Sequence, residues 1–593
     1  MLKGICALFL VLGLVVLGMV ACGGGGHSSA PPTPTPTPTS SSIKISPNSI
    51  VVALSGAQIF SATNTQGMPV NVNWSISPGG VGTFQPSNTT ASFQAPASFP
   101  ATHTATIMAT LQSNATQTAT AIVTVGFPND NHSSQASPVK LGTSGGNSTD
   151  MSGRSCCSGT LGSLVTRGGA LFILSNNHVL DKSDQGAVGD AITQPGLVDN
   201  NCNPGNVVAH LSQVAALKPS PCTGTCTGPA PSNVDAAIAQ IVAGQVDPSG
   251  SILDLGAAGS SSIAPAPPSA TVAVPLDVFS HSEGVAKSGR TSGLTCSTLQ
   301  SIITTVSVDY SASCGGPTAF TSTFSNQIII NGGSFSAGGD SGSLVVTSDT
   351  ARPLGLLFGG NDTSTSANPI TDVLNAFKSG ANNATMVGGG DHAVSCDPTA
   401  SSPSAGPSPG TAAAQISIEE RNLSIEERKR VADVRAKHAP MLLQDSTIAS
   451  VEIGDSEDSP GEGALVIQVS ATPKTTIPAV MDGVRTKIVS QNAGPSHAPA
   501  LAGEDIDRTT AVKESHAAAL MSQPGIQGIG VGRSSDNPSE SAVVIYVVRG
   551  QEHPPIPQLL DGVRTKIVEG DRFRAFDWGK NTRPATKTNC VKR

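Results

Sequence analysis

The sequence predicts a multidomain, mainly β protein that ends in an α/β tail. Composition is the first reason: of 593 residues, hydrophobic types make up 38%, aromatic types 3% and charged types 12%, the last about half the usual share. Gly 64 and Pro 43 punctuate short apolar runs, the pattern of turn-rich β structure with long linkers. Charge distribution is the other reason. The first 400 positions hold 29 charged residues and the last 193 hold 45, so charge density rises about threefold near residue 401 and marks a change of architecture. The net charge of −8, with no basic run, argues against nucleic-acid binding. Beyond the first twenty-odd residues no long apolar run remains, which excludes a polytopic membrane protein.

Residues 1–22 read as an export signal: Lys3, then an apolar stretch from Ile5 to Val20, then Met19-Val20-Ala21-Cys22. The small residues before Cys22 resemble a bacterial lipobox, which implies a lipidated cysteine at the mature N-terminus and membrane contact only through that anchor. Residues 23–42, with four glycines and a Thr-Pro alternation, form an extended tether because proline fixes φ. The expected location is the cell envelope, periplasmic or on the cell surface. Cysteine usage agrees. Setting aside Cys6 and Cys22 leaves nine, eight of them between Cys156 and Cys396, a pattern of an oxidising compartment. Cys222-x-x-x-Cys226 reads as a disulfide loop, since no second ligand pair stands at zinc-like spacing. Cys296 with Cys314 is the expected second bridge, and Cys590 is a candidate for the unpaired thiol. No metal and no cofactor is expected.

Residues 43–126 alternate apolar and polar residues, as in Val70-Asn71-Val72-Asn73-Trp74-Ser75-Ile76 and Ala119-Thr120-Ala121-Ile122-Val123-Thr124-Val125. Turn clusters separate these runs, and over some 80 residues with one buried Trp they suggest an immunoglobulin-like β-sandwich serving as a spacer. It is similar to bacterial surface Ig-like repeats, which lack the cysteine pair. Residues 138–396 carry many short β-like runs and no convincing long helix, which predicts an all-β barrel or a sandwich pair. A second linker follows at 397–415. Beyond it the chain is duplicated: Asp482-Gly483-Val484-Arg485-Thr486-Lys487-Ile488-Val489 recurs unchanged at Asp561 to Val568. Each copy reads as a helix (Glu426 to Met441; Thr509 to Met521), a strand, a hairpin and a strand, so residues 416–490 and 505–576 are two tandem small α/β repeats. His438 and His516 are equivalent in the repeats. No acid or thiol recurs with them, so their expected role is structural rather than metal binding.

Three segments of the β-rich middle carry chemistry. His178 follows an apolar strand in Leu174-Ser175-Asn176-Asn177-His178-Val179-Leu180. Asp235 opens a strand in Ser232-Asn233-Val234-Asp235-Ala236-Ala237-Ile238. Ser341 sits on a glycine-rich turn in Ala337-Gly338-Gly339-Asp340-Ser341-Gly342-Ser343-Leu344. A serine hydroxyl needs a neighbouring base to attack at neutral pH. An imidazole can take that proton and return it to a leaving amine. A carboxylate on the far ring nitrogen fixes the tautomer, and glycines let backbone amides converge on an oxyanion. Asp181, Asp190 and Asp199 are rival acids, but Asp235 alone stands directly before Ala236-Ala237-Ile238.

In the order His, Asp, Ser these segments resemble the trypsin-like serine peptidases of the chymotrypsin fold, a double β-barrel, over about 260 residues. The resemblance implies His178 as general base, Asp235 as its orienting acid and Ser341 as nucleophile. It implies an oxyanion hole from the amides of Gly339 and Ser341, with Asp340 supporting the loop. Lys287-Ser288-Gly289-Arg290-Thr291-Ser292-Gly293 is similar to a run that opens the second barrel in some members, where it is structural. Val179 stands where animal members carry a bridging cysteine, so Cys156 or Cys157 pairs elsewhere, with Cys202 a candidate. No Ile-Val-Gly-Gly start precedes the domain, which argues against activation by a new N-terminus. Phe335 occupies the position of a pocket-floor acid, which argues against cleavage after Lys or Arg. The expected function is peptide-bond hydrolysis of a protein or peptide substrate. The alternative is a catalytically inactive, peptidase-like surface binding or adhesion lipoprotein. The C-terminal repeats are expected to inhibit the cleft or to bind substrate.

Overall fold

The computed structural model describes residues 43–575 apart from 53–55, 65–66, 97–103, 126–129, 153–154, 218–231, 259–262, 312–313, 315, 379–382, 397–422 and 491–498. The expectations for Cys22, the Cys222–Cys226 loop and Cys590 lie outside the described residues. Strands dominate and are gathered into several sheets. No helix among the described residues is long and apolar enough to cross a membrane.

Alternation decides the N-terminal part. Thr104–Leu111 and Thr118–Val125 point every second residue inward and pair antiparallel. They belong to one four-stranded sheet, while Lys44–Ser46, Ala57–Thr63, Thr83–Pro86 and Thr90–Gln94 form another. The inward residues of both sheets share one apolar core. Trp74 is only half-buried; the core is centred instead on Phe60 and Phe93, both fully buried. Trp74 shares the inward face of its strand with Val72 and Ile76 and packs against the core while remaining partly exposed, so the expected buried tryptophan is met only in part.

Two larger sheets follow. One has eight antiparallel strands and places Asn206–Val214, Ala237–Ile241, Ala170–Ser175 and Ser163–Arg167 side by side. The other has eleven. Six of these, Gly284–Gly289, Leu344–Thr347, Pro353–Gly360, Ser364–Pro369, Thr318–Asn331 and Gly293–Ser311, form a closed ring of pairings. Side chains from both sheets meet in a single core. The intervening helices are short, Asn177–Leu180, Pro275–Ser280 and Ile370–Ala376.

Among the described residues three disulfides join distant segments: Cys156–Cys202, Cys157–Cys314 and Cys296–Cys396. The expected Cys296–Cys314 bridge is replaced. Cys296 lies near the start of the 19-residue strand Gly293–Ser311, and Cys314 lies past its far end. At about 3.3 Å per residue the two are tens of ångströms apart, far beyond bridging distance.

The duplicated segments fold alike. Helix Ile425–Leu442 precedes Ile448–Asp455, Gly463–Val469, Val480–Met481 and Val484–Ser490; helix Gly503–Met521 precedes Ile526–Arg533, Ser541–Val548, Leu559–Leu560 and Val563–Gly570. Ser424 caps the first helix by accepting from Glu427 N–H. Asp482-Gly483 and Asp561-Gly562 all take positive φ, the two-residue hairpin turn that Asp-Gly favours. These same aspartates meet the duplicated histidines, His438 Nε2 with Asp482 Oδ2 and His516 Nε2 with Asp561 Oδ2, each at 2.8 Å. An acid therefore does recur with each histidine, and the expectation that none does is corrected. The repeats grip one another reciprocally: Arg485 donates to Thr565 O and Arg564 to Thr486 O. Likewise Ser456 Oγ donates to Asp536, and Ser534 Oγ to Asp458.

Candidate active site

Strand pairing brings two of the three candidate residues together. Ala170–Ser175 and Ala237–Ile241 run antiparallel with Ser175 opposite Ala237. His178, three residues beyond one strand, and Asp235, two before the other, therefore emerge at the same end. His178 lies on the short turn Asn177–Leu180 and is 6% exposed, while Asp235 is fully buried. His178 Nδ1 is 2.6 Å from Asp235 Oδ2. A carboxylate oxygen at that distance places the ring proton on Nδ1 and leaves Nε2 as the basic nitrogen.

The carboxylate is fixed from every side. Tyr310 donates its hydroxyl to Asp235 Oδ2 at 2.9 Å, and the His178 amide donates to Oδ1 at 3.3 Å. Asp235 N–H donates to Asn368 Oδ1, and Asn176 Nδ2 donates to Asp235 O. The rival acids are engaged elsewhere. Asp199 forms a two-pronged pair with Arg290, and Asp190 accepts from Asn147 Nδ2 and Ala187 N–H. Asp181 ends the histidine turn, where burial and the neighbouring Asp184 and Asp190 raise its pKa to about 6.

Ser341 sits on a turn packed against the same strand end. Gly342 holds φ at +94°, and a Cβ there would fall 2.1 Å from Ser175 Oγ, so only glycine lets the turn approach. Gly159 separates the two segments: its Cβ would fall 2.5 Å from Val179 Cγ2 and 2.9 Å from Ser341 O. Thr160 N–H donates to Ser341 O at 2.8 Å. The Ser341 side chain is fully buried, and its Oγ donates to Phe358 O at 3.4 Å. Neither the Gly339 nor the Ser341 amide donates to another group among the described residues, which leaves both available to a negative oxygen.

Asp340 braces this turn. It is fully buried and accepts from the Thr291, Ser292 and Ala337 amides and from Ser292 Oγ. Lys287 Nζ lies 3.4 Å from its Oδ2, both side chains at 0% exposure. Burial lowers the Lys287 pKa, and Asp340 opposes that shift. A buried charge needs such a partner, and removing one member strands the other. Sequence reasoning treated Lys287 only as part of a structural run. The signal was a lysine set among small and apolar residues of a strand, Gly284-Val285-Ala286-Lys287-Ser288-Gly289.

A cavity of about 270 Å³ opens beside His178, with Asp150, Lys182, Ser311 and the Cys157–Cys314 bridge in its walls. Phe335 is buried in an apolar cluster with Val345 and Leu354. Among the described residues, no group of three or more His, Cys, Asp or Glu is arranged to hold a metal ion. No family model matches the chain, and no curated protein matches it.

Proposed function

We propose that the chain is an exported, lipid-anchored serine endopeptidase of trypsin-like type. In this reading the eight- and eleven-stranded sheets are the paired barrels, and the N-terminal sheets are an Ig-like spacer behind the Cys22 anchor. The observation that carries it is the 2.6 Å contact between His178 Nδ1 and Asp235, drawn from segments 57 residues apart, with the Ser341 turn seated on the same strand end.

Ser341 Oγ attacks the carbonyl carbon of an extended peptide while its proton passes to His178 Nε2. Asp235, held by Tyr310, stabilises the imidazolium that forms. The Gly339 and Ser341 amides donate to the new oxyanion, each worth roughly 3–4 kcal/mol. His178 then protonates the leaving amine, and water releases the acyl group by the reverse proton path. The Lys287–Asp340 pair keeps the turn in shape without a freed N-terminus.

A fluorophosphonate probe tests this directly. Wild type labels, Ser341→Ala does not, and His178→Ala hydrolyses a peptide library about 10⁴-fold more slowly or worse. An unlabelled wild type overturns the reading. One observation favours the second reading, an inactive binding lipoprotein: Ser341 is wholly buried. That reading predicts no label, no hydrolysis and unchanged capture of envelope ligands by Ser341→Ala.

A further inference from the structure

Along one edge, the strand Pro353–Gly360 meets three neighbours in succession. Leu344–Thr347 pairs with its first half. The serine turn comes next: Gly342 N–H donates to Leu357 O and Ser341 Oγ to Phe358 O. Gly359 and Gly360 then pair antiparallel with Ala575 and Arg574. The chain's own C-terminal strand thus takes the edge immediately past the Ser341 hydroxyl. Its direction matters. From Arg574 to Ala575 the chain moves from Gly360 back to Gly359, toward Phe358 and Ser341.

Arg574 and the preceding Phe573 also touch the other half of the site. Arg574 also pairs with Asp309, next to Tyr310, whose hydroxyl holds Asp235. Asp309 N–H donates to Phe573 O. Phe573 is fully buried in a cluster with Tyr310, Phe358 and Tyr546. Gly359 is required there, since a Cβ would fall 2.5 Å from Arg574 O. Upstream, Asp571 is tied down at both ends: its N–H donates to Asp362 Oδ1, and its carbonyl accepts from Asn361 Nδ2.

A peptide presented to Ser341 by strand addition needs this edge, and a strand edge accepts one partner at a time. We infer that Phe573–Ala575 occupies the peptide ledge in cis, in the direction of a chain approaching Ser341, and restrains hydrolysis of other extended peptides. The inference rests on Ser341 being the nucleophile. The occupant is covalently attached, so a free peptide competes with an intramolecular partner whose effective concentration is high.

The test uses the full chain and two readouts. A small fluorophosphonate requires the nucleophile but not the strand edge; a quenched extended-peptide library requires both. Arg574→Pro removes an N–H and fixes φ at an exposed position, and Phe573→Asp expels the buried anchor. If the ledge is filled at least nine-tenths of the time, both variants cleave peptides at least about tenfold faster than wild type, with labelling within about twofold. Arg574→Pro that labels like wild type yet cleaves no faster overturns the inference while the peptidase reading stands. If no form labels or cleaves, both fall. Should Phe573→Asp fail to fold, as judged by its thermal transition, Arg574→Pro decides alone.

Discussion

The two C-terminal repeats share a fold and an unchanged eight-residue motif, yet they end in different places. The first keeps a four-stranded sheet of its own, whereas the second is built into the eleven-stranded sheet through the pairing of Ile526–Arg533 with Gly293–Ser311. The cause is legible in the aligned strands. Where the first repeat has Ser450 and Glu452, the second has Gly528 and Gly530. A Cβ at Gly530 would fall 2.3 Å from Thr304 Oγ1, and one at Gly528 would fall 3.3 Å from Thr305 O. Bare backbone permits the close approach. Glu452 is exposed, and its strand buries only some of its residues, while Ile526–Arg533 is buried almost throughout. Bare backbone at these two positions, rather than the shared motif, distinguishes the repeat that joins its neighbour.

Exchanging the residues should break the comparison most severely in one direction. Gly530→Glu places a carboxylate where Thr304 already stands, and we expect a loss of about 3 kcal/mol or more in urea unfolding. The next largest effect concerns the reciprocal arginines, buried at 0% and 2% exposure. Arg485→Met and Arg564→Met each remove two hydrogen bonds to the opposite repeat. Each should cost about 2 kcal/mol, and losses that differ greatly between the two would disprove the pseudo-symmetry.

A pH effect should mark the seam where the two copies meet. Burial and the nearby Asp458 carboxylate raise the Asp536 pKa. A raised acid contributes stability that is complete below its unfolded pKa near 3.8 and disappears as pH climbs through the folded value. Asp536→Asn removes that loss, so its thermal midpoint relative to wild type should rise between pH 4 and pH 7. A constant difference would show that Asp536 does not titrate there. The smallest effect is the reverse exchange. Glu452→Gly lies on an exposed strand face and should change stability by less than about 1 kcal/mol.

Local pattern carried much of the fold into the sequence. Period-two alternation marked the runs that became Val72–Ser77 and Thr118–Val125, and the helix expected from Glu426 to Met441 became Ile425–Leu442, because each pattern is written in adjacent residues. The position of His178 after one strand and Asp235 before another was readable for the same reason, and antiparallel pairing turned those positions into contact. What escaped depends on pairings between distant segments. Cys157 and Cys314 are 157 residues apart, and nothing near either names the other. Phe573-Arg574-Ala575 has no alternation to mark it as a strand, and its place on Gly359 and Gly360 follows only from where the second repeat is anchored. Asp482 and Asp561 were visible as turn residues, but their contact with the helical histidines needed the hairpin to fold back on the helix.

The welding of the second repeat also sets an order of events during synthesis. Chains emerge N-terminus first, and domains generally fold as they appear. The strand Gly293–Ser311 and the ledge at Gly359 and Gly360 are therefore complete some 165–215 residues before Ile526–Arg533 and Arg574–Ala575 arrive to cover them. A nascent chain stalled or clipped within that interval would carry a bare sheet margin beside Ser341, so fidelity in finishing the last hundred residues matters as much to this molecule as the arrangement of the three groups themselves.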